Sequence, residues 1–306
     1  MNNAYIGKLM ELAEKDPNIV HLLADSGTGY DEMFRRNFPD QMFNFGIAEG
    51  NMVAAAAGMA TAGKIPFVFT AGAFLAYRAM EYIRDDICFQ NLNVKITGMG
   101  CGLSWSSLGP THHTTEEISV LRSIPNLMLL SPASPNQVRA CVEEAYRHEG
   151  PVYIRIGMNK EKEFFEEASR LPMDGFDEMT EGGDAILFST GSILEEVMSA
   201  CDDLGKQGVF IKVVNVPRLK PFGYEKAKEL ISRYDKVFTV EEHNVLGGLG
   251  SILSETISLS GMGKKLIPIG LNDCFAKGYG SIEAVRKENG LDAGSIGNRI
   301  KGVLQV

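Results

Sequence analysis

The chain has 306 residues, of which 44% are hydrophobic and 23% charged, with 30 basic against 39 acidic residues and a net charge of −9. This composition excludes a disordered or fibrous chain, and the length suits two domains of roughly 150 residues each. The acidic balance argues against nucleic acid or an anionic membrane as a partner, and no apolar run approaches the ~18 residues of a membrane span. Five cysteines stand singly without a CxxC pair, which predicts reduced thiols in a cytoplasmic protein and no structural zinc site.

Strands and helices alternate along the first half of the chain. Apolar residues recur at helical spacing in some segments, and β-rich apolar runs bounded by turn residues lie between them. This alternation predicts an α/β fold with a mostly parallel sheet. The predicted helices cover 4–15, a weak segment through 34, 48–62, 73–91, 114–122 and 135–148, and the predicted strands cover 18–24, 65–70, 93–98, 126–131 and 151–157.

The second half repeats the alternation after a change of character. Residues 159–181 are charged, aperiodic and short of β-branched residues, as interdomain linkers are. The sequence therefore predicts a first domain over 1–160, a linker over 161–181 and a second α/β domain over 182–306. Strands are predicted at 184–189, 208–214, 235–241 and 265–269, with helices at 192–205, 223–232 and 249–259.

Most generic motifs fail. The stretch 247–250 (GGLG) follows a strand and opens a helix, the setting of an anion cradle, but it is not GxGxxG and is interpreted as a tight strand-to-helix turn. His112 and His113 are adjacent in sequence, so they rarely face one metal ion, and no third ligand is evident. No metal site is predicted on this chain.

Two regions remain as candidates for chemistry. Glu49 stands in the first turn of a helix, where an acidic residue ordinarily complements the helix dipole. Apolar neighbours such as Ile47 and Met52 predict burial, which would raise the pKa of a carboxyl as a proton-sharing catalytic acid requires. The loop of residues 99–113 follows a strand and ends in GPTHH, at the place where open α/β sheets bind ligands.

These regions carry a family resemblance. The segments FNFGIAEGNMVAAAAGMATAGKIPFVFTAGAFLAYRAMEYIRDD and LGPTHHTTEEISVLRSIPNLMLLSPAS resemble the pyrimidine-binding domain of transketolases and deoxyxylulose-phosphate synthases. The later VFTVEEHNVLGGLGSILSE is similar to the C-terminal domain of that family. The resemblance runs over essentially the whole chain, in order, with the linker in the family's place.

The resemblance implies thiamine diphosphate as cofactor and a separate partner chain. Family enzymes bind Mg²⁺ and the diphosphate through a GDG motif followed by an Asn. Gly183-Asp184-Ala185 with Asn215 does not match, because Asp184 begins a strand instead of ending one. The chain thus resembles the C-terminal half of a split transketolase, whose N-terminal subunit carries the diphosphate-binding domain and the Mg²⁺ ligands. Small residues over 51–63 predict close approach of another subunit and an α2β2 heterotetramer.

The family's site residues map onto individual positions here. The resemblance implies that Glu49 shares a proton with N1′ of the aminopyrimidine and that Phe74 and Tyr77 pack against its ring. A third family aromatic is replaced by Ala71. His112 corresponds to the catalytic histidine that faces the donor sugar. Asp25 corresponds to a loop residue near the cofactor edge.

Several family contacts to the donor sugar are missing. The aspartate is replaced by Leu108, the upstream histidine by Gly100 and the phosphate-binding arginine by Met158, although Arg155 lies three residues earlier; the N-terminal arginine is replaced by Asn3. A phosphate would lack its bidentate partner, at a cost of roughly 2 kcal/mol or more. The substrate is therefore expected to lack a phosphate or carry it elsewhere, as an unusual or sulfonated sugar would, unless the partner chain supplies the cation.

Three alternatives stay open. A β-subunit of a 2-oxo-acid dehydrogenase shares the two-domain plan, but its corresponding loop reads more like GAQHSQ than GPTHH. A deoxyxylulose-phosphate-synthase-like enzyme shares the resemblance. A non-catalytic relic has no physical need for Glu49, His112 and two stacking aromatics.

Overall fold

A computed structural model of the chain describes residues 1–25, 29–158, 160–166 and 170–306. Two mostly parallel sheets with intervening helices confirm the predicted α/β class. Within the described ranges, no helix is both long and apolar enough to cross a membrane.

The first half builds helices and strands close to the predicted positions. Apart from the short strand Met42–Asn44, the strands are almost wholly buried, in keeping with a sheet covered on both faces. A 3₁₀ turn, Pro39–Gln41, precedes the short strand Met42–Asn44. The helices are α1 Asn2–Ala13, α2 Gly29–Asn37, α3 Glu49–Thr61, α4 Met80–Tyr82, α5 Glu117–Arg122 and α6 Pro135–Arg147, and the strands are β1 Ile19–Leu23, β2 Met42–Asn44, β3 Ile65–Ala71, β4 Lys95–Met99, β5 Met128–Leu130 and β6 Val152–Ile156.

The second half adds a smaller sheet and five helices. A 3₁₀ turn, Gly191–Ile193, leads into the first of these helices. The strands are β7 Asp177–Glu178, β8 Ala185–Thr190, β9 Ile211–Asn215, β10 Arg218–Lys220, β11 Lys236–Asn244 and β12 Lys265–Leu271, and the helices are α7 Leu194–Gly205, α8 Tyr224–Ser232, α9 Leu249–Leu259, α10 Ile282–Glu288 and α11 Ala293–Leu304.

The two sheets are linked by an exchanged strand. The seven-stranded sheet has the order β10-β5-β6-β4-β3-β1-β2, and the five-stranded sheet has the order β12-β11-β8-β9-β7. β10 follows β9 in the chain, yet it pairs antiparallel with β5 of the first sheet. One buried apolar cluster also runs from Met52 of α3 through Ile118 of α5 to Phe188 of β8 and Leu249 of α9, so the two halves share a core.

The predicted linker is more structured than its sequence indicates. β7 lies inside the expected 161–181 range and pairs antiparallel with β9. Glu163 accepts hydrogen bonds from the Ser134 hydroxyl at 2.6 Å and the Asn136 amide at 2.8 Å, and thereby caps the N-terminus of α6. A two-residue strand and a cap supplied from another segment leave no periodic signal, because both depend on distant partners.

The parallel strands deliver the candidate residues to one edge of the sheet. Asp25 follows β1, Glu49 follows β2, Phe74 follows β3 and the GPTHH loop follows β4. Because parallel strands end together, these residues share the edge at which open α/β sheets bind ligands.

Candidate active site

Glu49 is a buried carboxylate at the start of α3. It is 1% exposed, and the preceding backbone is folded tightly, with Gly46 at φ +66° and the Ala48 amide donating to the Gly46 carbonyl at 2.8 Å. Its Oε2 accepts a hydrogen bond from Nη1 of Arg78 at 2.6 Å. The Arg78 side chain is 52% exposed, and its guanidinium lies 5.1 Å from the centre of the Phe74 ring. One exposed cation therefore contacts both the buried carboxylate and an aromatic face.

The segment after β3 is not the continuous α-helix predicted over 73–91. Two π-helical turns, Phe74–Arg78 and Ile83–Cys88, flank the short α4. Each π turn adds a residue per hydrogen-bonded ring, which shifts the direction of the side chains that follow, and such turns are frequent at functional sites. The prediction of a continuous α-helix was wrong because α-helical and π-helical hydrogen bonds are formed by the same residue types, so the sequence does not distinguish them.

Tyr77 is tied to the loop that carries the histidines. Its hydroxyl donates to Oε2 of Glu116 at 2.8 Å and accepts from the Glu116 amide at 3.1 Å. Partial burial raises the pKa of Tyr77, and the negative charges of Glu117 and Glu116 raise it further, so the hydroxyl stays protonated. The ring remains 40% exposed.

The GPTHH loop places His112 against Phe74. Gly109 has φ +75°, and the amides of His112 and His113 donate to its carbonyl at 2.9 and 3.1 Å. Nδ1 of His112 lies 3.0 Å from Oγ1 of Thr111, and its ring centre lies 5.1 Å from that of Phe74. Glu49, Phe74 and His112 are thus brought together, with Arg78 between the first two.

His113 is turned away from the open edge. It is 3% exposed, and neither ring nitrogen has a hydrogen-bond partner among the described residues. Burial lowers the pKa of His113, so the neutral imidazole is favoured. The described residues also contain no group of three His, Cys, Asp or Glu arranged to hold a metal ion.

Two predicted substrate positions lie in the same loop. Leu108 is 45% exposed, and its amide donates to the Trp105 carbonyl at 2.9 Å. Gly100 has φ +69°, and the indole of Trp105 packs directly over it. The indole centre is 6.0 Å from that of His112. These positions therefore adjoin the histidine.

The remaining predicted positions differ in their surroundings. Asp25 is exposed, with φ +48°, and its amide donates to Oδ1 of Asn44 at 3.2 Å; residues 26–28 of its loop lie outside the described residues. Met158 is half-buried just beyond β6. The replaced N-terminal position, Asn3, lies in α1.

Arg155 is not brought to the site. It is 4% exposed, and its Nε donates to Oε1 of Glu117 at 2.5 Å, while its Nη2 lies 3.5 Å from the Glu242 carbonyl oxygen. The expectation that Arg155 faces the substrate is corrected on this point, because β6 points its side chain into the contact between the two halves of the molecule. Burial raises the pKa of Glu117, and the Arg155 charge opposes that shift.

The GGLG turn holds a carboxyl group, and that group belongs to the protein. Glu241 is fully buried and accepts from the amides of Leu249 and Gly250 at 2.7 and 2.8 Å. A Cβ on Gly248 would lie 2.1 Å from Oε2 of Glu241, so this glycine is required by the close approach of the carboxylate. The cradle is therefore occupied by an internal carboxylate.

The site residues that sequence reasoning missed are Arg78, Trp105 and Glu116. Arg78 lies one residue after Tyr77 in a segment whose pattern predicts an ordinary helix. Trp105 is the single tryptophan of the chain and lies between Gly100 and Leu108, which is the signal that would have found it. Glu116 carries no signal of its own, because its partner Tyr77 is distant in sequence.

The residues present fit the aminopyrimidine half of thiamine diphosphate. A basic ring nitrogen calls for a buried carboxylate, which Glu49 supplies, and a flat ring calls for an aromatic face, which Phe74 supplies. Arg78 now contacts both, but its half-exposed side chain can move without disturbing the core.

Comparison with known proteins identifies the family of the chain. The transketolase pyrimidine-binding domain matches residues 1–160, and the transketolase C-terminal domain matches residues 176–296. The chain belongs to the transketolase family. Within that family it is a transketolase-type transferase subunit.

Three similar proteins support the subunit assignment. An apulose-4-phosphate transketolase subunit of Actinobacillus succinogenes is 34% identical over 295 residues, covering 96% of this chain and 95% of the relative. A 6-deoxy-6-sulfo-D-fructose transketolase subunit of a Clostridium species is 32% identical over 297 residues, covering 97% and 92%. A solved split-gene transketolase, described as an inactive β4 tetramer, is 35% identical with a TM-score of 0.91, covering 99% of this chain and 98% of the other.

Proposed function

We propose that this chain forms the pyrimidine side of a thiamine diphosphate site shared with an N-terminal transketolase subunit, which supplies the Mg²⁺ and diphosphate ligands. The contact of Glu49, Phe74 and Arg78 beside His112 is the observation that supports this most directly. When bound, thiamine diphosphate supplies the carbon nucleophile that carries a ketol unit between sugars.

Each residue of the chain has a separate task in this proposal. Glu49 shares a proton with the ring nitrogen of the aminopyrimidine, and the low water content around a side chain only 2% exposed strengthens that interaction. Phe74 supports the ring, Tyr77 lines its edge, and Asp25 lies near the other edge of the cofactor.

His112 exchanges a proton with a hydroxyl of the donor sugar. The Thr111 hydroxyl occupies its Nδ1 at 3.0 Å, which leaves Nε2 for the substrate. An imidazole serves this task because it can both accept and donate a proton.

We further propose a donor that departs from the common ketose phosphates. Leu108, Gly100 and Met158 provide no charge, and Arg155 is engaged by Glu117 inside the protein. The two relatives named for apulose 4-phosphate and for 6-deoxy-6-sulfofructose are compatible with such a preference.

The proposed assembly is an α2β2 heterotetramer. The exposed side of α3 carries small residues, and Gly58 has open space where a Cβ would lie, so another subunit can approach its backbone. We also propose that the first domain covers residues 1–160 and that the linker ends before β7. The protein is expected to be cytoplasmic, because its five unpaired cysteines remain reduced in that compartment. Sedimentation of the reconstituted complex tests this assembly, and a fully active 1:1 complex would contradict it.

Reconstitution tests the proposal as a whole. The chain is co-purified with its N-terminal partner, supplied with thiamine diphosphate and Mg²⁺, and assayed on a panel of ketose donors with an aldose acceptor. Transfer of a ketol unit is expected only when both chains are present. Oxidative decarboxylation of a 2-oxo acid in the same assay, without ketol transfer, would favour the dehydrogenase alternative.

A further inference from the structure

Trp105 fills the space that a side chain at position 100 would need. A Cβ built on Gly100 would lie 2.0 Å from Nε1 and 2.4 Å from Cδ1 of Trp105, well under the 3.0 Å below which real Cβ atoms are essentially never found. Gly100 also has φ +69°, which disfavours most other residues. A side chain at position 100 and the indole at position 105 therefore exclude each other.

The indole belongs to the same ring cluster as the candidate catalytic histidine. The centre of the His112 ring lies 5.1 Å from that of Phe74 and 6.0 Å from that of Trp105. A sugar bound at His112 would therefore be within reach of both the Phe74 ring and the Trp105 indole.

Trp105 is held in place by contacts from both halves of the molecule. Its carbonyl accepts from the amides of Leu108 at 2.9 Å and Gly109 at 3.2 Å. The neighbouring Ser106 donates its hydroxyl to the Gly280 carbonyl at 2.8 Å, and the Ser106 carbonyl accepts from the Gly280 amide at 3.2 Å. The backbone that carries the indole is thus held by both halves of the molecule.

The wall that Trp105 forms is uncharged. Residues 99–115 contain no Asp, Glu, Lys or Arg. Nε1 of Trp105 is buried and has no acceptor within the described ranges, so any exposed part of the side chain is carbon. A phosphate dianion placed against this surface would lose hydration without gaining a charge-assisted hydrogen bond from it.

We propose that Trp105, together with Gly100, determines specificity: it receives the tail of the ketose donor and selects against a tail that ends in a phosphate dianion. This inference rests on the proposed function and names a property of the same site. Trp105 makes and breaks no bond, and it acts through shape and desolvation.

The test compares donors that share one carbon skeleton. The kcat/KM values for fructose, 6-deoxy-6-sulfofructose and fructose 6-phosphate are measured with the reconstituted two-chain enzyme. The wild type is compared with Trp105→Phe, Trp105→Ala and the double variant Gly100→His with Trp105→Ala. The decisive quantity is the ratio of kcat/KM for fructose 6-phosphate to that for fructose, because a merely structural defect lowers both values together.

The expected pattern is specific. In the wild type, fructose 6-phosphate is the poorest of the three donors. Trp105→Ala raises the decisive ratio, the double variant raises it about tenfold or more through the added imidazole, and Trp105→Phe leaves it nearly unchanged. Gly100→His alone gives no such rise, since the indole still occupies the space.

Three outcomes overturn the inference in different ways. If the wild type uses at least one donor but the ratio stays constant across the variants, Trp105 is not a specificity residue and the proposed function stands. If the wild type transfers a ketol unit from other ketoses of the panel but from none of these three, the inference fails and the proposed function stands. If it transfers a ketol unit from no ketose of the panel, the proposed function fails, and the inference fails with it.

Discussion

Replacing Arg78 tests whether the ion pair with Glu49 exists in the isolated chain. The two side chains lie 2.6 Å apart, with Glu49 2% exposed and Arg78 52% exposed. Opposite charges about 4 Å apart attract by roughly 4 kcal/mol at an effective dielectric constant of about 20. Solvent around the half-exposed guanidinium screens much of this, so we expect a coupling free energy of about 1–2 kcal/mol.

A double-mutant cycle measures that coupling. Urea unfolding of Arg78→Met, Glu49→Gln and the double variant is followed by the fluorescence of Trp105, the single tryptophan, which lies in the same sheet edge. Arg84→Met is a matched control, because Arg84 pairs with Asp85 in the same segment with both side chains largely exposed. The control is expected to change stability by less than about 0.5 kcal/mol. A Glu49–Arg78 coupling free energy of less than about 0.5 kcal/mol, no larger than the stability change expected for the control, would refute the electrostatic reasoning.

Three further predictions concern the cofactor and pH. Glu49→Gln is expected to lower turnover of the reconstituted enzyme by about 100-fold or more without loss of assembly, whereas the exposed Glu81→Gln leaves it unchanged; near-normal turnover of Glu49→Gln would contradict the assigned role. The chain without its partner is expected to show no micromolar binding of thiamine diphosphate in calorimetry, and such binding would argue against Mg²⁺ ligands on the partner. His243 of β11 is fully buried, and burial lowers its pKa from the ordinary value of 6.5. The folded chain therefore keeps this imidazole neutral, whereas the unfolded chain takes up a proton there as the pH falls below 6.5, which lowers the free energy of unfolding. Urea unfolding between pH 7.5 and 5 is expected to show a shallower decline for His243→Gln than for the wild type, and equal slopes would exclude His243 as a cause.

The sequence predicted the elements that depend on local pattern. Helix α9 lies at its predicted bounds, and most buried strands of both sheets lie within a few residues of theirs. The helices α10 and α11 were missed. In α11, glycines at 294, 297 and 302 weaken the helical pattern. Their start signals were nevertheless present: the side chain of Ser281 accepts from the Ala284 amide, and that of Asp292 accepts from the Ser295 amide.

In the candidate site, too, the residues with a local sequence signal were predicted and the contacts between distant residues were not. The strand-end rule and the family resemblance predicted Glu49, Phe74 and His112, and the structure brings all three together. The pairing of Arg78 with Glu49 could not be predicted, because it depends on a π-helical turn and on a contact between residues far apart in sequence. The burial of the Arg155 side chain could not be predicted either, since its partner Glu117 belongs to a different element.

The exchanged strand β10 limits how the molecule can be divided. Arg218 and Lys220 pair with β5 and cover the edge of the first sheet, and the Lys220 ammonium donates to the carbonyls of Arg122 and Ile124. A fragment ending at residue 160 would leave β5 as a bare edge with unpaired amides and carbonyls, which favours edge-to-edge aggregation. A protease cut within the linker would instead leave two pieces held together by this strand and the shared core. The nicked chain would still migrate as one particle in its native form and separate only in denaturant.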